Sequence, residues 1–379
     1  MTNSYISSKG PKSLVPGQVH WGAEDQARIP EWHTRVAPVG WVLIAEPRGT
    51  GVEPHQDDQE QEDQQYFLHL YYISAKNRMG CGWRPEPLYV VLPYFNYCKF
   101  QRRRELFIEF VNEIHKTKGI RIVVSECVGP APLPKLPVWA HLKFRTDGHI
   151  WVKENLINLA IRRLPSGWKN VAWIDADIRF LNQNWVHETM DELLSADVVQ
   201  LFRTAVNLGP NGEAIKTDKG FAYMSEGSGT PWTPTDRYGF WHPGYAWACT
   251  RSAWTRMGGL IDWAILGSGD RHMSMALAGR ALDSAPGNVH PNYKILLTEY
   301  QKAVKGMKLS WVDGTILHFW HGSFENRKYR ERWRILTENS FNPFTDIGLD
   351  NRGQLHLTKE GQRFEPLLIK YFLGREEDS

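Results

Sequence analysis

From residue 88 onward, short apolar runs alternate with stretches whose apolar positions recur at helical spacing. Residues 88–93 (LYVVLP) have the length and continuity of a strand buried on both faces. Residues 100–116 then place Leu106, Phe107, Phe110, Val111 and Ile114 on one helical face. The alternation continues: 120–125 (IRIVVS) predicts a second strand and 151–164 a second helix, ended by Pro165. Residues 170–174 (NVAWI) and 198–202 (VVQLF) predict a third and a fourth strand. Strands of this buried type, separated by amphipathic helices, predict an α/β fold with a mostly parallel sheet covered on both faces.

The pattern fails in three places. The first 50 residues carry no period, and 51–65 (GVEPHQDDQEQEDQQ) is acidic and Gln-rich, the composition of a solvated linker. Residues 66–74 (YFLHLYYIS) predict a strand beyond it. The expected division is an N-terminal appendage with its linker over 1–65, a catalytic domain over 66–340 and a C-terminal extension over 341–379. Residues 207–244 are rich in Gly, Pro, Ser and Thr and too long for an idle connection. They predict a lid over a site, centred on 209–239.

Composition narrows the class. Of 379 residues, 45 are basic and 42 acidic, a net charge of +3 that removes the strongly basic profile of many nucleic-acid binders. A 42% hydrophobic and 23% charged chain is globular. Tryptophan is abundant: 17 outnumber 16 Phe and 14 Tyr, and such rings either stack on sugars and bases or fill a core. No apolar run reaches the roughly 18 residues that span a bilayer, so no membrane partner is expected. Cys81, Cys98, Cys127 and Cys249 are scattered with no CxxC pair. Together with the lack of an apolar leader, this predicts a reduced, cytoplasmic setting.

Three segments carry chemistry. In Trp173-Ile174-Asp175-Ala176-Asp177-Ile178 two carboxylates one residue apart follow an apolar strand. On an extended chain they would point the same way and converge on one hard divalent cation, Mn²⁺ or Mg²⁺. The alternative is a polar strand end in water. Gly258-Gly259-Leu260-Ile261-Asp262 and Gly267-Ser268-Gly269-Asp270 place Asp270 at a loop-to-helix junction, where it serves either as a cap or as a general base. Thr315-Ile316-Leu317-His318-Phe319-Trp320-His321-Gly322 ends an apolar strand in two imidazoles, ahead of the basic Arg327, Lys328, Arg330, Arg332 and Arg334. Either histidine could ligate a metal, or the run could be an ordinary solvated face.

In this order the segments resemble the GT-A class of nucleotide-sugar glycosyltransferases, a Rossmann-type sheet, over about 88–329. The resemblance implies that VVLPYFN, with Pro93, Tyr94 and Asn96, holds the nucleotide base, and that Lys153, in the helix before the metal strand, also meets the donor. WIDADIRF resembles the DxD element, with Asp175 and Asp177 at the metal and Asp175 also near the ribose. HPGYAWACTRS and the two glycine-rich segments resemble the acceptor side, implying His242, Trp247 and Asp262 at the acceptor and Asp270 as catalytic base. HFWHG resembles the late His-containing strand of that class, with one residue more than its HFxG pattern, so His318 and His321 both stay open as metal ligands. Lys328 and Arg327 would meet the diphosphate. The resemblance implies single displacement from a UDP-sugar or similar donor to a hydroxyl acceptor, which could be a hydroxymethylated base in DNA. Competing readings are a DxD phosphohydrolase, a nucleotidyltransferase, and a sugar- or nucleic-acid-binding protein without catalysis.

Overall fold

A computed structural model of the chain describes residues 86–145, 148–227 and 241–379. The predicted appendage, the linker and the 66–74 strand lie outside the described residues. In chain order the described elements open with β1 (Leu88–Phe95), α1 (Gln101–Ile114), β2 (Ile120–Cys127), β3 (Ala140–Phe144) and α2 (Lys153–Ile161). They continue with β4 (Asn170–Ile174), β5 (Ile178–Phe180), α3 (Trp185–Glu192), β6 (Val198–Gln200), β7 (Thr204–Leu208) and β8 (Ala214–Gly220). Next come β9 (Trp241–His242), β10 (Ala246–Thr250), α4 (Arg251–Met257), α5 (Gly269–Leu277) and α6 (Pro291–Val304). The last are β11 (Leu309–Trp311), β12 (Thr315–His318), α7 (Trp333–Thr337), β13 (Ile347–Leu349), β14 (Leu355–Leu357) and α8 (Glu365–Leu373).

The apolar runs become a seven-stranded sheet in the order β11-β6-β10-β4-β1-β2-β3. Every neighbouring pair is parallel except those of β10, which runs antiparallel to both β4 and β6. Alternation along β1 divides its side chains between two cores. Tyr89 and Val91 join a core with α2, α5 and α6, whereas Leu88, Val90 and Leu92 join another with α1 and α3. The mostly parallel α/β sheet flanked by helices is thus as the apolar pattern predicts. Trp173, Trp247, Trp254, Trp263 and Trp333 are core residues, so much of the tryptophan excess is spent on packing.

Two expectations change. Residues 214–220 are a strand, not part of a loop: β8 pairs antiparallel with β7, Ala205 opposite Asp218. Its first four residues are exposed, so it lacks the apolar run that would mark it in sequence. The proposed lid therefore loses 214–220 to a sheet, and 228–239 lie outside the described residues. The C-terminal stretch also packs into the main core: Phe341, Phe364, Leu368 and Phe372 share a cluster with Tyr89 and Val91. A boundary at 340 cuts through one packing unit.

What positions the site is the second sheet, β5-β12-β7-β8-β9. It inserts β12 between β5 and β7, with His318 opposite both Ile178 and Asn207. The end of β12 therefore lies beside the turn that follows β4.

Candidate active site

The chain leaves β4 at Ile174, turns through Asp175, Ala176 and Asp177, and enters β5. Two backbone bonds clamp the turn from opposite sides. The Asp175 N–H donates to Tyr245 O at 2.7 Å, and the Phe319 N–H donates to Asp177 O at 2.8 Å. The extended geometry expected from the DxD spacing is thus replaced by a turn, and the two carboxylates part. Asp175 receives Lys153 Nζ, from the first residue of α2, at 2.7 and 2.9 Å. Asp177 faces β12 instead.

Asp177 Oδ2 lies 3.0 Å from His321 Nε2 and 3.9 Å from His318 Nε2, and the two nitrogens are 3.3 Å apart. His321 Nε2 also lies 2.9 Å from Arg327 Nη2. A guanidinium only donates and a carboxylate only accepts, so one nitrogen cannot satisfy both. Burial drives His318 well below its ordinary pKa, leaving a neutral imidazole. Burial opposes the charged form of Asp177, but His321, His318 and Arg327 outweigh it and hold the carboxyl well below its usual range. Asp177 Oδ1 is buried without a hydrogen-bond partner.

A divalent cation fits these residues. Ligand atoms about 2.1 Å from an ion and at right angles to one another lie about 3.0 Å apart, close to two of the spacings here, 3.0 and 3.3 Å, with the His318–Asp177 pair wider at 3.9 Å. An ion would also take the lone pairs that now conflict and the orphaned carboxylate oxygen. Both histidines left open by the sequence are brought to Asp177; Asp175, held by Lys153, is not in that cluster.

Asp270 sits in the first turn of α5, behind two consecutive left-handed residues, Gly267 (φ 83°) and Ser268 (φ 80°). A left-handed serine is strained, and Arg332 Nη2 holds it by donating to Ser268 Oγ at 2.6 Å. Asp270 Oδ1 accepts from the Arg271 N–H at 2.8 Å, and Oδ2 lies over Gly244, where a Cβ would come within 2.4 Å of it. Only glycine leaves that room. Burial works against the Asp270 charge, but Lys153, His242 and the Arg271 N–H prevail, and its pKa is lowered. Burial brings His242 down to about 4, so it is neutral at physiological pH; its Nδ1 accepts from the Gly244 N–H at 3.1 Å, which leaves the proton on Nε2. Burial pushes Glu154 up to about 8, so beside the ionised Asp270 stands a protonated carboxyl.

Both ends open into one cleft of about 470 Å³. Pro93, Tyr94, Lys153 and His242 line it, together with Arg103, Arg327, Arg332 and Arg375. A larger groove, about 810 Å³, runs beside α1 and α3, away from any cluster of potential metal ligands among the described residues.

Four expected residues do not present themselves to the cleft. Asn96 spends its carboxamide on the Phe100 backbone, accepting at 2.9 Å and donating at 2.8 Å, and so shapes the entry to α1. Trp247 is 1% exposed and donates its indole N–H to Pro243 O at 2.8 Å; it is core, not an acceptor platform. Asp262 Oδ2 accepts from Asn155 and Asn158, each at 3.0 Å, tying its loop to α2. Lys328 is exposed on a left-handed turn (φ 46°), and its neighbour Arg327 faces inward instead.

Part of each arginine run folds inward: Arg103 pairs with Glu377 and Arg332 donates to Tyr371 at 3.1 Å, whereas Arg102, which donates to Trp320 O at 3.2 Å, stays partly exposed, and Arg330 and Arg334 are exposed. Sequence reasoning missed Arg375, Glu377 and Tyr245. Tyr245 stacks on His242 at 3.8 Å and donates to Asn207 at 2.7 Å from a left-handed backbone (φ 72°). Nothing local in GREEDS marks the tail as part of a site.

No protein-family model and no curated protein matches the sequence. Among solved structures, a mutant Drosophila β1,4-galactosyltransferase 7 in complex with manganese, UDP-Gal and xylobiose is 13% identical, over 72% of this chain and 93% of that one, with a TM-score of 0.35. The mannosyltransferase PcManGT from Pyrobaculum calidifontis, in complex with GDP-Man and Mn²⁺, is 15% identical over 80% of this chain and 76% of that one, with a TM-score of 0.39. TarS from S. aureus is 13% identical over 50% of this chain and 54% of that one, with a TM-score of 0.31.

Proposed function

We propose that this chain is a metal-dependent glycosyltransferase that moves a sugar from a nucleoside-diphosphate donor, a UDP-sugar first, to a hydroxyl acceptor with inversion. The observation that carries the reading is a single cleft with a cation-holding cluster and an ionised, hydrogen-bonded carboxylate, Asp270, on its wall. Asp177, His318 and His321 would hold the cation. Two imidazoles beside one carboxylate favour Mn²⁺ over Mg²⁺, which prefers oxygen ligands. When bound, the cation offsets the charge that develops on the departing diphosphate.

The chain's own residues do the rest. Arg327, Arg375 and Arg103 line the same cleft and supply guanidinium groups for the diphosphate. Tyr94 and Pro93 line the cleft at the end of β1, where the base would rest. Lys153, ion-paired with Asp175, orients that carboxylate, and its charge favours the ionised form of Asp270. Asp270 accepts the acceptor hydroxyl proton while that oxygen bonds to the anomeric carbon and the bond to the diphosphate breaks. His242, neutral and with its Nε2–H available, orients the acceptor.

The basic residues divide between inside and outside. Arg103 and Arg332 turn into the protein, while Arg330 and Arg334 stay exposed after β12, so a hydroxymethylated base in DNA stands as an acceptor class beside a small hydroxyl compound.

The test is incubation with a panel of nucleotide sugars, Mn²⁺ and simple glycoside acceptors, following released nucleoside diphosphate and the anomeric configuration of the product. Asp270→Asn should keep donor affinity and lower kcat by about 10²-fold or more. A retained configuration, or an Asn variant with normal kcat, removes Asp270 from the role. Binding without turnover of any donor would leave a sugar-nucleotide-binding protein.

A further inference from the structure

The last residues of the chain close against the cation cluster. Glu377 is 2% exposed, and its carboxylate is fully engaged: Oε2 accepts from Arg103 Nε at 2.5 Å, while Oε1 accepts from Arg103 Nη2 at 2.8 Å and Arg375 Nε at 2.6 Å. The tail is pinned on either side. Asp378 accepts from the first N–H groups of α1, Gln101 at 3.0 Å and Arg102 at 2.7 Å, where a carboxylate also answers the helix dipole. Glu376 O and Arg375 O lie against Gly322, the residue after His321, where a Cβ would stand 2.9 and 3.1 Å from them.

This docking leaves Glu377 Oε2 3.8 Å from His321 Nδ1, a buried nitrogen with no hydrogen-bond partner. The far side of that ring, Nε2, is the atom turned to Asp177 and His318. For Nε2 to offer a lone pair, the single proton of the neutral ring must sit on Nδ1, facing Glu377. A histidine that ligates a metal normally has a carboxylate or carbonyl facing its other nitrogen, and at 3.8 Å Glu377 acts on a proton at Nδ1 through its charge, not through a hydrogen bond. We propose that Glu377 is the positioning residue of the cluster: it fixes the His321 tautomer that exposes Nε2 and, through Arg103 and Arg375, sets two guanidinium groups in the same cleft.

The proposal rests on the reading of Asp177, His318 and His321 as a cation site, and the experiment separates the two. In Glu377→Gln the single remaining oxygen goes to the arginines, and the amide NH₂ turns hydrogens toward His321 Nδ1. The ring should then shift toward the Nε2–H tautomer. That shift is read from the imidazole ¹⁵N resonances of the metal-free full chain, so it stands apart from cation binding. Mn²⁺ affinity, measured by calorimetry without donor, should fall 10–100-fold, the usual cost of losing an outer partner. Glu377→Asp, which keeps the charge on the arginines but withdraws it from Nδ1, should show a smaller loss, and it serves if the Gln variant fails to fold. Unchanged tautomer and unchanged Mn²⁺ affinity in these variants overturn the role of Glu377. Wild type and Asp177→Ala binding Mn²⁺ equally overturns the cation site instead, while the tautomer measurement still decides Glu377.

Discussion

Asp175 and Asp177 are the same residue two positions apart, both in the same cleft wall, yet their environments push them in opposite directions. Asp177 looks onto neutral or hydrogen-bonding imidazoles and the Arg327 guanidinium, and its carboxyl is held far below the usual range despite burial. Asp175 looks onto Lys153, but burial, helped by the negative charges of Asp177 and Asp270, outweighs that ammonium and pushes its carboxyl up. The difference lies in who supplies the positive charge. Asp175 is answered by an ammonium built into α2. Asp177 has an oxygen left over and two imidazole nitrogens beside it, an arrangement that a divalent cation would complete.

The largest break in this comparison is Asp177→Ala. Removing the only carboxylate of the cation cluster should abolish Mn²⁺ binding and lower turnover by at least about 10²–10³-fold, the scale of losing one electrostatic stabiliser of the transition state. Assays with and without excess Mn²⁺ check it, and rescue by the excess would place the ligand elsewhere.

The Lys153–Asp175 pair should show in stability instead. Lys153→Met strands a largely buried Asp175 beside two other carboxylates and should cost about 3 kcal/mol, the range for breaking a buried pair by removing one partner. Asp175→Asn should cost less, since Lys153 still answers Asp270. Denaturant melts of the two variants compare them directly; equal losses would mean that Asp175 does not depend on its ammonium.

A pH dependence sharpens the comparison from the side. Glu154 accepts the Trp151 indole N–H at 2.9 Å and has a folded pKa of about 8, raised by burial. A carboxyl raised above its unfolded value binds a proton more tightly in the folded chain. Its contribution to stability is therefore full below about pH 4.3 and is lost as pH rises toward 8, at up to about 1.4 kcal/mol per pH unit. Glu154→Gln keeps the indole bond and should flatten that slope between pH 5 and 8. Parallel slopes for the two proteins would count against a protonated Glu154.

Some elements were legible to the residue and others were not. The 170–174 strand coincides with β4 because an apolar run bounded by polar residues is a local signal. β8 escaped because its face to solvent is long and its sequence, AIKTDKG, is polar. Trp247 was misread because every residue of β10 but its last is buried, so no alternation separates a cleft-facing position from a core one. Arg327 and Lys328 are adjacent cations, and only the left-handed turn at Lys328 decides which one faces in. Asp262 carries the right chemistry for an acceptor contact, but two asparagines of α2 claim it first.

The sequence by itself determined four strands of the central sheet, β1, β2, β4 and β6, the helices α1 and α2, and the chemical inventory of the site: paired carboxylates after a strand, an aspartate at a helix start, two histidines at a strand end. Those properties live within about ten residues of chain, where spacing and side-chain chemistry act directly. Tertiary structure alone decided which carboxylate meets the ammonium and which meets the imidazoles, because that depends on β12 slotting between β5 and β7 and on a turn clamped from both sides. It alone brought Glu377 to Arg103, 274 positions away, and behind His321. No local pattern encodes such a meeting, since the chain closes that distance only when two cores on opposite faces of one sheet are packed.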